Sequence, residues 1–197
     1  DNLDWDCGWT GNAQFLFIMK NDATASVDSD NGFECDADDQ KSNLLPRSHP
    51  VIYNATMIGN SKSALTTDNS AIAGINAKEL TEGEIYNSVI ANFLRGFNMT
   101  KALGTRTGTS EAYHNWSSAN GNGSQSLKVK CNTFVGTTDA LTVDRATAGL
   151  VAADNTQFTT TDLNTVVPSV PGFSFALARS GNTFTTRPDA VPNPALS

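Results

Sequence analysis

The stretch GFECDADDQ (32–40) sets Glu34, Asp36, Asp38 and Asp39 around Cys35. A second acidic run, DNLDWDC (1–7), holds Asp4 and Asp6. In an extended strand successive side chains face opposite ways. Phe33 and Cys35 then share one face, and Glu34 and Asp36 the other. The same rule turns Leu3, Trp5 and Cys7 inward and Asp4 and Asp6 outward. If the two runs lie side by side with Leu3 against Phe33, Asp4 meets Glu34 and Asp6 meets Asp36. Carboxylates at that spacing repel unless they are protonated or bridged by a cation. An oxygen-only donor set favours Ca²⁺ over zinc or copper. The candidate metal ligands are Asp4, Asp6, Glu34, Asp36 and Asp38, with Asp28, Asp30 and Asp39 in the adjoining segments. A solvated acidic face with sodium and water is the competing reading. The run lacks the glycine-marked spacing of an EF-hand loop.

A second register is open. It sets Trp5 against Phe33 and Cys7 against Cys35, which brings two sulfurs into bonding range. The chain has 3 cysteines, Cys7, Cys35 and Cys131, and no CxxC or Cys/His spacing of a zinc site. A Cys7–Cys35 disulfide fits an oxidising compartment, and three buried thiols fit equally well. His49 and His114 stand in loops with no recognisable nucleophile beside them. No catalytic residue is assigned, and the weight is against an enzyme. Arg47, in LPRSHP, reads as a loop anchor paired with a carboxylate. Four tripeptides, starting at Asn54, Asn98, Asn115 and Asn122, match the N-glycosylation pattern, and the last two read as the better acceptors.

The elements that must position these residues are short strands. The 197 residues suffice for one domain with its own core. A net charge of −7 disfavours nucleic acid as a partner. No apolar run is long enough to span a membrane as a helix. Thr, Ser, Asn, Asp and Gly are abundant and charged residues make up 17%, a turn-rich, extracellular β composition. Helical propensity is confined to DRATAGLVAA (144–153).

A weak repeat organises the chain. Leu3-Asp4-Trp5 recurs as Phe33-Glu34-Cys35, Ile75-Asn76-Ala77 and Phe97-Asn98-Met99, at spacings of about 30, 42 and 22 residues. A second element follows each copy: AQFLFIMKN (13–21), VIYNATMIGN (51–60), EIYNSVIANF (84–93) and LKVKCNTFVG (127–136). Two strands per irregular repeat without crossover helices point to a parallel β-solenoid. Like residues would stack about 4.8 Å apart. Leu3, Phe33, Ile75 and Phe97 form one expected interior column, and Ile52, Ile85 and Val129 another. Asn54 and Asn87 align within IYN, as an amide ladder at a bend. An antiparallel sandwich is the alternative fold. The expected architecture is all-β, a right-handed parallel β-helix of about four rungs over 1–136. A cap and an extended C-terminal arm occupy 137–197.

DNLDWDCGWTGNAQFLFI, NGFECDADD and PRSHPVIYNATMIG resemble the C-terminal part of secreted right-handed β-helix proteins of Bacteroidetes and other Gram-negative bacteria. The matching residues include Leu3, Asp4, Trp5, Gly8, Trp9, Gly11, Gln14, Phe15, Gly32, Phe33, Glu34, Asp36, Pro46, Arg47, Pro50, Tyr53, Asn54, Thr56 and Gly59. The resemblance covers 1–103 and fades beyond 137. It implies the fold, export to the outside of the cell, and a β-helix that lacks its N-terminal rungs. It brings no activity with it.

Two functions follow as expectations. One is a secreted or cell-surface structural or adhesive protein that self-associates, or joins another surface protein, through its open end and its arm. The other is a β-helix that binds or degrades carbohydrate, with the acidic column in its groove and Trp5, Trp9 or Trp116 stacking on sugar.

Overall fold

The structure is a computed structural model. It describes residues 1–20, 31–37, 45–59, 73–101, 111–121 and 124–168, and the backbone of 179–180 and 183–184. The chain winds through successive coils, each contributing one strand to each of three parallel sheets. The first coil is β1 (Leu3–Trp5), β2 (Asn12–Gln14) and β3 (Phe17–Met19). The second is β4 (Phe33–Cys35), β5 (Val51–Tyr53) and β6 (Thr56–Ile58). The third is β7 (Ala73–Ala77), β8 (Gly83–Tyr86) and β9 (Val89–Ala91). The fourth is β10 (Arg95–Met99), β11 (Leu127–Lys130) and β12 (Thr133–Val135), with helix α1 (Ala112–Trp116) in the long connection after β10. A fifth, incomplete coil has β13 (Asp139–Val143), helix α2 (Ala152–Thr156), a π-helical turn (Gln157–Thr161) and β14 (Thr165–Val167). Arg179–Ser180 and Thr183–Phe184 form a short antiparallel pair, β15 and β16. Sheet order is β1-β4-β7-β10-β13, then β2-β5-β8-β11, then β3-β6-β9-β12-β14.

Three strands per coil, where the repeat had suggested two, result from a corner inside the second element. Phe15, Asn54, Asn87, Cys131 and Leu163 all have left-handed backbone there, with φ between 48° and 58°. One left-handed residue turns the chain sharply, so AQFLFIM and its counterparts each break into two strands. Asparagine tolerates this conformation best among non-glycine residues, which explains its place in IYN. Coil winding also continues past 136. The region expected as cap and arm, 137–197, begins with β13, a 3₁₀ turn (Thr147–Gly149) and α2.

Stacking fills the interior. Leu3, Phe33, Ile75, Phe97 and Leu141 lie in one column. Ala13, Ile52, Ile85 and Val129 form the second. Ile18, Met57, Ile90, Phe134 and Val166 form the third. The repeat's glycines have a steric reason. A Cβ on Gly74 would collide with Ile90, and one on Gly96 with Phe134, so this edge of the first sheet must be bare where the third sheet packs.

Two amide ladders stabilise the corner. Outside, Asn87 Nδ2 donates to Asn54 Oδ1 at 2.5 Å. Inside lies a ladder that the sequence reading missed. Asn132 Oδ1 accepts the Ser88 N–H at 2.9 Å, and its Nδ2 donates to the Ile85 carbonyl at 3.0 Å. Asn164 Oδ1 accepts the Asn132 N–H at 3.0 Å, and its Nδ2 donates to Val129 O at 2.7 Å. These side chains replace backbone partners that a turning chain cannot supply.

Asn132→Ala should cost about 1–3 kcal/mol for each backbone group it orphans. Asn54→Ala, on the outer ladder, should cost only about 1 kcal/mol through its left-handed backbone. Urea denaturation of the two variants checks this, and equal losses would contradict the assignment.

Candidate functional site

The first sheet's outer face carries two polar columns. One runs Asp4, Glu34, Asn76, Asn98, Thr142 by strand register. The next, just beyond the strands, runs through Asp36, Lys78, Thr100 and Asp144. Each of these donates its N–H to the carbonyl one position earlier on the preceding coil: Trp5, Cys35, Ala77 and Met99. Backbone spacing thus presents one outward side chain per coil in each column.

The register sets Leu3 against Phe33 and Trp5 against Cys35. This decides between the two sequence alternatives and corrects the disulfide. The chain leaves β1 in a tight turn, and Cys7, with φ of 51°, is exposed where it was expected to point inward. Cys35 is buried in the core, and no disulfide joins the cysteines. Cys131 is exposed at the corner. Burial, followed by Asp36 and Glu34, pushes the Cys35 thiol well up.

Asp4 and Glu34 meet, as that register requires, and Asp1 joins them. One oxygen from each lies within 4.8 Å of the others. Burial and then Glu34 raise the Asp4 carboxyl above its ordinary value. Asn31 bridges the group, its N–H reaching Asp1 at 3.1 Å and its amide Glu34 at 3.4 Å. The cation between Glu34 and Asp36 is the ammonium of Lys78. It contacts Glu34 Oε1 and lies 3.1 Å from Asp36 Oδ2. Asp6 turns its Oδ1 onto its own following amide, the Cys7 N–H, at 2.6 Å. Asp38 lies outside the described residues. The four described carboxylates of the five singled out in the sequence thus divide. Asp4 and Glu34 face one another, Glu34 and Asp36 share Lys78, and Asp6 serves a turn.

Asp36 is the most perturbed of these groups. It is 7% exposed, and its Oδ1 has no hydrogen-bond partner among the described residues. Burial pushes its pKa up to about 8 against the pull of Lys78, with Glu79 and Glu34 adding to the rise. Burial depresses Lys78, but Asp36 and Glu34 outweigh it and keep the amine above its ordinary range. Asp36 therefore holds its proton to a higher pH than an ordinary carboxyl.

Further along the face the columns become amides and hydroxyls. Asn98 Nδ2 donates to Asn76 Oδ1 at 2.8 Å, and Asn98 Oδ1 accepts the Thr142 hydroxyl at 2.8 Å and the Arg145 N–H at 2.9 Å. Above this floor lies a cleft of about 300 Å³ lined by Asn76, Lys78, Asn98, Thr100, Asp144 and Arg145. The sequence reading named none of these six as site residues. The repeat contained the signal, because aligning Gly74 with Gly32 puts Lys78 above Asp36.

The remaining candidates lie elsewhere. Arg47 does anchor a loop, at 3.1 Å from Glu82. His49 is not simply solvated. Its Nδ1 is 3.2 Å from Glu82 and its Nε2 3.7 Å from Glu84, on the second sheet's outer face. None of the three tryptophans provides an open sugar platform. Trp5 is buried and donates to Thr81 Oγ1 at 3.2 Å. Trp116 is buried and donates to Asp162 at 2.9 Å. Trp9 is half-buried and packs on Trp5 with ring centroids 5.9 Å apart. Asn115 is 1% exposed and bonded to the Leu80 and Thr81 carbonyls, so it is no glycan acceptor. Asn122 lies outside the described residues.

Parallel coils stacked in three sheets define a parallel β-helix. The chain matches the model of the pectate-lyase like beta helix domain over residues 1–170, and it belongs to that family. No curated protein and no solved structure matches it. No helix among the described residues is long and apolar enough to cross a membrane.

The raised Asp36 pKa has a consequence for stability. The unfolded carboxyl releases its proton near 3.8, and the folded one holds it to about 8. The folded state binds more protons between those values, so stability falls as pH rises through that window. Asp36→Asn should flatten this dependence and be relatively more stable than the parent at pH 8.5 than at pH 4. Thermal melts across that range test it, and parallel curves for the two proteins would place the titration elsewhere.

Proposed function

We propose that this chain is an extracellular carbohydrate-binding β-helix that holds a linear polysaccharide along the outer face of its first sheet. The observation that carries the reading is the continuous polar strip from Asp4 to Arg145, with the cleft at Asn76, Lys78, Asn98, Thr100, Asp144 and Arg145. A sugar chain offers hydroxyls that both donate and accept. Asn76, Asn98 and Thr142 are buried and bonded to one another, so Lys78, Thr100, Asp144 and Arg145 around the cleft are the groups that would meet them. The cleft's volume lies at the lower end of the range for small-molecule sites. Family membership supports the reading, since the domain's description refers to a lyase of a polysaccharide. Lys78 lines the cleft and contacts Asp36 at 3.1 Å.

Arg145→Ala and Lys78→Met should each weaken glycan binding by about tenfold, the loss of one hydrogen bond to a charged group. A glycan array containing neutral and uronate polymers, followed by calorimetry on any hit, measures this. A parent protein with no glycan ligand on the array would sink the proposal. A reducing-sugar and unsaturated-product assay on the same hits tells binding from cleavage.

Ca²⁺ belongs to the same reading. Asp1, Asp4 and Glu34 are the oxygen donors that it would take, because Lys78 already bridges Glu34 to Asp36. Millimolar CaCl₂ should raise the melting temperature of the parent by a few degrees, and Asp4→Asn should abolish the shift. An equal shift in both proteins would remove the ion from this site.

A second reading, surface assembly or adhesion, is favoured by a different observation. Phe15 and Phe17, on the outside of the first coil, are 74% and 60% exposed. Neighbouring exposed aromatics mark a surface that another chain can cover. Sedimentation velocity over a concentration series tests it, and a single monomeric species at every concentration would dismiss it.

A further inference from the structure

Two residues that line the first-sheet cleft, Thr100 and Asp144, are tied to the start of α1. The Thr100 carbonyl accepts the Tyr113 N–H at 3.0 Å, and its hydroxyl donates to Glu111 Oε2 at 2.8 Å. Asp144 Oδ1 accepts the N–H of Lys101, the next residue along, at 2.8 Å. His114 stands at the third position of α1, where the sequence had suggested a loop. Its Nδ1 accepts the N–H of Glu111, the residue that caps the helix, at 3.2 Å. An N–H can only donate, so this ring nitrogen carries a lone pair and His114 is unprotonated in the fold. Glutamate or glutamine commonly fills this position and reaches back to the cap in the same way. An imidazole differs from them because it stops accepting once it is protonated. Charged and titratable groups stand beside it. Glu111 is engaged by Thr100, and Lys101 sets its ammonium 4.6 Å from the Tyr113 ring centroid. Tyr113 meets His114 edge-on with centroids 5.5 Å apart, and its hydroxyl donates to Asp154 at 2.9 Å. Burial, and then the charge of Lys101, lower the His114 pKa below its ordinary 6.5.

We propose that His114 is an acid-released latch on this cleft. Unprotonated, it closes the first turn of α1 and keeps Glu111 against Thr100. Protonated, its Nδ1–H opposes the Glu111 N–H, and its charge opposes the Lys101 ammonium. The first turn then loses its cap, and the contacts that hold Thr100 and Asp144 loosen with it. Control of ligand uptake by this latch rests on the glycan reading above; the latch itself does not. The direction in pH follows from the lowered pKa. The unfolded chain takes the proton more readily than the folded one, so stability falls as pH drops below 6.5.

The test uses the full chain without ligand. Nitrogen-15 spectra of the parent should show the His114 Nδ1 unprotonated at pH 8. On acidification the backbone amide signals of Glu111, Thr100 and Lys101 should move with the midpoint of the His114 ring, below 6.5. In His114→Gln, whose amide oxygen accepts from the cap at any pH, those signals should stay in place. Between pH 8 and pH 5 the parent should lose a few degrees of melting temperature relative to His114→Gln, since titrations common to both proteins cancel. A ring protonated on Nδ1 at pH 8, amide signals that ignore the ring's titration, or parallel melting curves would each overturn the proposal. A chain that binds no glycan leaves all three readings unchanged, so the two proposals fail separately.

Discussion

Everything in this molecule depends on parallel strands stacking in register. One coil lies on the next at the strand-to-strand spacing of about 4.8 Å. Each position therefore meets its own counterpart. Where that counterpart is apolar, the stack is a core column such as Phe33, Ile75 and Phe97. Where it is an amide, the stack is a ladder such as Asn76 to Asn98. Where both are carboxylates, the stack concentrates charge, and the structure must answer it.

The answer at the acidic end is a lysine. Lys78 neutralises Glu34 and Asp36 from the following coil, and the burial of Asp36 raises its pKa. Two other buried carboxylates, Asp162 and Asp154, are handled by hydrogen bonding. Asp162 accepts the Trp116 indole at 2.9 Å and lies 3.2 Å from Lys130. Asp154 is held by two hydroxyls. Unlike these two, Asp36 has an oxygen, Oδ1, that is buried without a hydrogen-bond partner among the described residues.

The corner shows how local chemistry and long-range stacking support one another. A left-handed residue turns the chain once per coil, and the residue after it points inward. Ser88, Asn132 and Asn164 occupy that inner position and bond the backbone of adjacent coils. A turn that would strand its N–H and C=O groups becomes a hydrogen-bonded column. This allows coils of unequal length to keep their register, and the connection after β10 packs α1 against the core through Trp116 and Phe97.

By itself the sequence determined the solenoid, the interior columns of Leu3 and Ile52, the outward Asp4–Glu34 contact in one of two registers, and the Asn54–Asn87 ladder. Those properties follow from period-two alternation and from repeats that place like over like, both visible in one dimension. Three features needed the tertiary structure. The register at the cysteines was decided by the turn after Trp5, which carries Cys7 away from Cys35. The partner of the acidic pair, Lys78, comes from a coil some forty residues on, and only the stacking of coils brings its ammonium between Glu34 and Asp36. The perturbed state of Asp36 depends on burial, which arises from the summed packing of neighbouring coils and is written in no single stretch of residues.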